Sequence, residues 1–224
     1  MEILKSELME YEILTPDSKS LDSFVEILNE SWGSFFQVDE DMIQERLESN
    51  DVFVGAYCNG KPAGILETIS VERDAPRNKS IPPEEKAAYV CSQIGNYWDL
   101  TNNGRWRPNS KNSNVLVFVD VTVSEKYRGT PKSIASEMIE LSKTLISKEP
   151  KDRIEQLVNI DYAVTFTPNH EPIKNWHKKQ YALDTKFVRK DARRGHALPD
   201  VNFMCYMAPG FLAQTGQKES GKKI

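Results

Sequence analysis

No stretch of this 224-residue chain approaches the roughly 18 consecutive apolar residues that a membrane-crossing helix needs. The first residues, MEILKSELMEYEIL, lack a signal-peptide pattern, so nothing there predicts export. There is no excess of positive charge. Twenty-nine Lys and Arg against 33 Asp and Glu leave a net charge of -4, which gives no general attraction to nucleic acid or to an anionic membrane. A nucleic-acid surface would have to rest on Arg105, Arg107, Lys111 and the 189–196 loop with Trp106 as its stacking aromatic, and the acidic whole opposes it. Cysteine is scarce. Cys58, Cys91 and Cys205 are odd in number and lack metal-site spacing, so the expectation is reduced thiols packed in the core of a cytoplasmic protein, with no metal. Internal repeats are absent too. What remains is 39% hydrophobic and 28% charged, the balance of an ordinary globular protein able to bury a core of its own.

The elements follow from periodicity. Residues 9–15 read as a short strand closed by Pro16-Asp17-Ser18. Leu21, Phe24, Val25, Leu28 and Trp32 recur at helical spacing up to Gly33, and Asp39 caps a second helix with Met42, Ile43 and Leu47 facing inward. DVFVGAYC and AGILETISV are β-rich runs joined by Asn59-Gly60, the pair that tolerates the positive φ of a two-residue hairpin turn. NVLVFVDVTV (114–123) is the strongest strand, with Val115, Val117, Val119, Val121 and Val123 on one face and Leu116, Phe118, Asp120 and Thr122 on the other. Both faces are mostly apolar, which predicts a central strand covered on both sides. A helix from Ile134 to about Ser147, a strand at 161–167, a helix from Glu171 to Tyr181 and a terminal hairpin of 185–191 with 201–207 complete the order. The expected organisation is a single α/β domain over 1–212 and a fraying polar tail at 213–224.

Between the central strand and its following helix lies Tyr127-Arg128-Gly129-Thr130-Pro131-Lys132-Ser133. A strand that turns there and launches a helix aims backbone N–H groups and the helix dipole at one spot, which suits an anion, although any capped strand-turn-helix joint leaves similar groups. The run VDVTVSEKYRGTPKSIASEMI, with the element order, resembles the GNAT superfamily of acyl-CoA-dependent N-acyltransferases. Its loop of pattern Arg/Gln-x-x-Gly-x-Gly/Ala corresponds to 128–133, and Asn169…Ile173-Lys174-Asn175-Trp176-His177 through Tyr181 looks like the family helix beside the coenzyme's thiol. The resemblance implies a mixed, mostly antiparallel sheet with helices on both faces. It implies acetyl-CoA or another acyl-CoA as co-substrate, held by Val121, Val123, Arg128, Gly129, Thr130, Lys132, Ser133, Asn169 and Trp176. The acceptor would be a small-molecule or peptide amine, and a homodimer is left open. Three positions depart from the pattern. Pro131 and Ser133 replace small residues, proline removing an N–H donor, and Trp176 replaces a tyrosine with a side chain that cannot release a proton at neutral pH. A non-catalytic binding protein on the same fold is therefore the second reading.

Direct transfer to an amine requires a group that takes the ammonium proton and one that protonates the leaving thiolate. Asp120 and Glu67 are the acidic candidates, the alternatives being that Asp120 binds a neighbouring backbone or arginine and that Glu67 faces solvent. His177 and Tyr181 are the candidate acids, otherwise a surface histidine and a packing ring. Residues 72–113 read as a helical insertion between the third and fourth strands. Ser80-Ile-Pro-Pro-Glu-Glu looks like a capped helix start, and Ala87, Val90, Cys91, Ile94, Tyr97 and Trp98 form its apolar side. Its loop Thr101–Arg107 is either a mobile rim hinged at Gly104, with Trp106 as contact surface, or a stabilising or dimer-forming appendage.

Overall fold

A computed structural model describes residues 8–32, 37–49, 51–76, 78, 80–94, 100–102, 105–106, 112–129, 133–147, 155–168, 172, 175–176, 184–189 and 201–207. Among the described residues seven strands form one sheet: β1 (Met9–Ile13), β2 (Phe53–Cys58), β3 (Lys61–Val71), β4 (Val115–Val123), β5 (Tyr162–Pro168), β6 (Asp184–Arg189) and β7 (Val201–Met207). Their order across the sheet is β1-β2-β3-β4-β5-β7-β6. Every neighbouring pair is antiparallel except β4 and β5. β4 thus occupies the middle, as its two apolar faces predict.

Helices cover both faces. α1 (Leu21–Trp32), α2 (Glu40–Glu48) and α3 (Pro83–Ser92) share one core with the sheet, in which Phe24, Leu28, Ile43, Leu47, Val90 and Cys91 meet Ile65, Ile69, Val115 and Val117. α4 (Ile134–Ser147) packs the opposite core, setting Ile134, Met138 and Ile146 against Val54, Leu66, Leu116 and Phe118. Asp39 caps α2 by accepting from the Met42 N–H at 2.8 Å. The β2–β3 turn has the expected left-handed residues, Asn59 at φ 51° and Gly60 at φ 74°. Gly64 has a different reason: a Cβ there would stand 2.9 Å from the Thr122 carbonyl, so only glycine lets β4 approach this closely.

α3 lies between β3 and β4 in sequence and rests against β6 and β7. Ala87, Val90, Cys91 and Ile94 are buried, as the apolar spacing predicts, and Cys58 and Cys91 are both core thiols. The helix start differs from expectation. Pro82 is the N-cap, without a side-chain cap bond, and the Ser80 hydroxyl donates instead to Asn78 Oδ1. Tyr97, Trp98, Gly104 and the tail at 213–224 lie outside the described residues, as does most of the helix expected over 171–181.

The central strand departs from simple alternation. Glu67 pairs with Asp120 but Thr68 pairs with Phe118, so Val119 is an extra residue, a β-bulge. Val115, Val117 and Val119 join the core beneath α1 and α2, whereas Val121 and Val123 pack toward α4. The five valines therefore do not share a face. The bulge flips the parity, and Asp120 turns to the side of Glu67 and α2.

Candidate active site at the parting of two strands

The β4–β5 ladder ends at Phe118 and Thr165. Beyond it β4 continues with β3 to Val123, and β5 continues with β7 to Pro168, so the two halves of the sheet part. Beyond Phe118, β4 is therefore no longer paired with β5. A cleft of about 560 Å³ opens at this edge, lined from β4 by Asp120, Val121, Thr122 and Val123, from the following turn by Tyr127, Arg128 and Gly129, and from the start of α4 by Ser133, Ile134 and Ala135. Ser31 and Trp176 close its rim.

Each wall has a local cause. Glu125–Tyr127 forms a single 3₁₀ turn that stops β4, and buried Tyr127 anchors it in the α4 core. Gly129 sits at φ 76°, a left-handed conformation that glycine adopts without steric cost. Ser133 is the N-cap of α4, its Oγ accepting from the Ser136 N–H at 3.3 Å. Arg128 folds back on the strand it follows. Its Nε donates to the Val123 carbonyl at 2.9 Å and its Nη2 to Ser31 Oγ at 2.9 Å, tying the end of β4 to the end of α1.

Of the residues singled out in the sequence, Asp120, Val121, Val123, Arg128, Gly129, Ser133 and Trp176 meet on this cleft. Glu67 stands just behind it. Thr130, Lys132, Asn169 and His177 lie outside the described residues, as do Pro131 and Tyr181.

The acidic pair is built as a unit. Direct cross-strand neighbours share a face, and so Glu67 and Asp120 stand side by side beneath α2. Glu67 is 2% exposed, so it does not face solvent. Its Oε1 accepts from Arg46 Nη1 at 2.7 Å, and Arg46, on the inner side of α2 between Ile43 and Leu47, is itself 1% exposed. The Arg46 guanidinium lies 4.4 Å from the centre of the Trp106 ring. Burial pushes the Glu67 carboxyl above its ordinary range; Arg46 opposes this, and the neighbouring charge of Asp120 adds to it. Asp120 is half-buried, and its Oδ2 accepts from the Thr122 hydroxyl at 2.7 Å.

Of the two alternatives for the insertion loop, Trp106 favours the stabilising appendage over the mobile rim. It is 3% exposed, its Nε1 donates to the Thr68 carbonyl at 3.1 Å, and its ring packs near Phe53. Arg105 beside it bonds both oxygens of Glu45 on α2 at 2.9 Å. The insertion is fastened to the core at this point. Arg46 is the residue that the sequence reading missed, although a signal existed: a cation on the inward stripe of α2 and an acid within an apolar strand. For Ser31 there was none.

No family model and no curated protein matches the sequence. Solved structures do match the fold. The loading GNATL domain of CurA from Lyngbya majuscula superposes with a TM-score of 0.59 at 10% identity, over 89% of this chain and 98% of that one. Arabidopsis thaliana NAA60 in complex with acetyl-CoA gives 0.55 at 13% identity, over 89% and 99%. The ribosomal-protein-S18-alanine N-acetyltransferase from Escherichia coli gives 0.54 at 9%, over 90% and 95%. The chain has the GNAT superfamily fold. Among the described residues no helix is long and apolar enough to cross a membrane.

Proposed function

We propose that this protein transfers an acyl group from coenzyme A to an amine by direct attack within a ternary complex. The observation that carries the reading is the parting of β4 and β5 beyond Phe118 and Thr165, with the start of α4 facing the opened edge. The donor set suits an acyl-CoA. The main chain of Val121 and Val123, on the part of β4 no longer paired with β5, would offer amide groups to the amides of the coenzyme's arm, and residues 128–133 ahead of α4 would offer N–H groups, the Ser133 hydroxyl and the charge of Arg128 and Lys132 to its phosphates. Trp176 lines the same cleft, and Asn169 is proposed as a further contact on the coenzyme. A bound thioester supplies an activated acyl carbon. Asp120 takes the proton of the incoming ammonium, because its carboxylate lines the cleft while that of Glu67 is committed to Arg46. His177 is the proposed proton donor to the leaving thiolate. The acceptor is a small-molecule or peptide amine. Acetyl-CoA in the NAA60 structure, and the S18 alanine in the name of the Escherichia coli enzyme, lend the reading support by likeness of fold.

One observation favours the second reading, a binding protein without catalysis. The Ser133 hydroxyl already caps the Ser136 N–H, and Pro131 lacks an N–H, so the turn has fewer donors to offer a phosphate. Thermal unfolding with millimolar acetyl-CoA and longer acyl-CoAs, paired with thiol release over a panel of amines, separates the two. Binding at 100 times Kd adds about 2.7 kcal/mol and raises Tm. Asp120→Asn should keep that shift and slow thiol release by about 10²–10⁴. No shift with any acyl-CoA would overturn the proposal, and a shift without release from any amine would leave the second reading.

A further inference from the structure

Two carboxylates directly opposed across a strand pair repel, and in a half-buried place the usual outcome is that one of them binds a proton. A protonated Asp120 could not accept one from an amine. We propose that Arg46 is a positioning residue which, from beneath the sheet, keeps Glu67 and Asp120 ionised together and so holds Asp120 ready as a proton acceptor. The catalytic task of Asp120 rests on the reading above; the electrostatic coupling does not.

Arg46 is placed for this. Its guanidinium bonds Glu67 at 2.7 Å on one side and lies on Trp106 on the other, inside a core that gives the charge no water. A buried ion pair is weak evidence of stabilisation, since apolar residues of similar volume often do as well or better. Here the triad of Arg46, Glu67 and Asp120 carries one net negative charge, and that charge reaches the cleft through Asp120. The surrounding elements add little to the balance. From the insertion, Arg105 is spent on exposed Glu45. Asp51, ahead of β2, is held by the Ser70 N–H and Ser49. On α4, Glu137 accepts from Tyr11, on β1. Arg128 shares the cleft with Asp120 but directs its donors to Val123, Ser31 and Glu125. Arg46 brings positive charge to the acidic pair through its bond to Glu67.

The bulge and the insertion become parts of the same device. Val119 rotates Asp120 onto the Glu67 face, and Trp106 holds the guanidinium against Glu67 while its Nε1 grips the carbonyl of Thr68, the residue next to Glu67.

The test is a carbon-detected NMR titration of the Asp120 carboxyl in the ligand-free chain. In Glu67→Gln the midpoint should fall by about one pH unit, because the opposing charge is gone while Arg46 stays. In Arg46→Met it should rise by about one unit. That single variant leaves a buried, unpaired acid and can fail to fold, so the double variant Arg46→Met/Glu67→Gln, with both charges removed, carries the decision. Its midpoint should return upward from that of Glu67→Gln by about one unit, close to the unaltered chain. A double variant that titrates together with Glu67→Gln would overturn the proposal, since Arg46 would then contribute nothing. If thiol release is found, the acidic limb of its pH profile should follow the same displacements. Midpoints that move while the limb stays would uphold the coupling and remove Asp120 as the base.

Discussion

Asp51 shows what one buried acid does to the whole. It sits just ahead of β2, where its Oδ1 accepts from the Ser70 N–H at 2.7 Å and its Oδ2 lies 3.0 Å from the Ser49 hydroxyl. Burial raises its pKa from 3.8 to about 7, against the lowering effect of those hydrogen bonds. The folded chain therefore binds a proton that the unfolded chain has released, and the associated stability is full below pH 4 and gone above pH 7. Across that window the loss is on the order of 4 kcal/mol, at about 1.4 kcal/mol per pH unit. Asp51→Asn mimics the neutral acid, accepting from Ser70 and donating to Ser49. Urea unfolding at pH 5 and pH 8 should show a smaller loss of stability for the variant than for the parent. An equal loss would mean that Asp51 does not titrate in this range.

At the scale of elements, Trp106 decides what the insertion is. Removing a buried indole that bonds Thr68, packs near Phe53 and stacks on Arg46 should cost about 3–5 kcal/mol. Trp106→Ala should therefore lower Tm strongly; a Tm close to the parent's, with only the affinity for an amine reduced, would restore the rim. The regular elements were legible in the sequence because each has a periodic apolar face, as in Ile134, Met138 and Leu145 of α4, or a special turn, as at Asn59-Gly60. The position of β4 was legible from its two apolar faces. The bulge was not, because an extra residue leaves composition untouched and alternation continues on either side of it. The cleft was legible as a joint and a loop. Its acidic pair was legible only as two separate residues, since the contact of Glu67 with Asp120 and Arg46 depends on register and on where α2 settles.

For the whole molecule the sheet order matters most. α3 belongs to the insertion, yet β6 and β7, made well after it, lie against it. A chain ending at residue 183 should then leave part of the α3 face uncovered, bind a hydrophobic dye and melt without a sharp transition. A cooperative, native-like melt for that chain would show that the insertion and the first five strands suffice. The same arrangement sets a clock during synthesis. At ~5–20 residues per second the ribosome needs on the order of 5–20 s to pass from Ser92 to Asp184. Throughout that interval α3 waits for the strands that lie against it, so the nascent chain offers a greasy helix to chaperones before it can own a finished core.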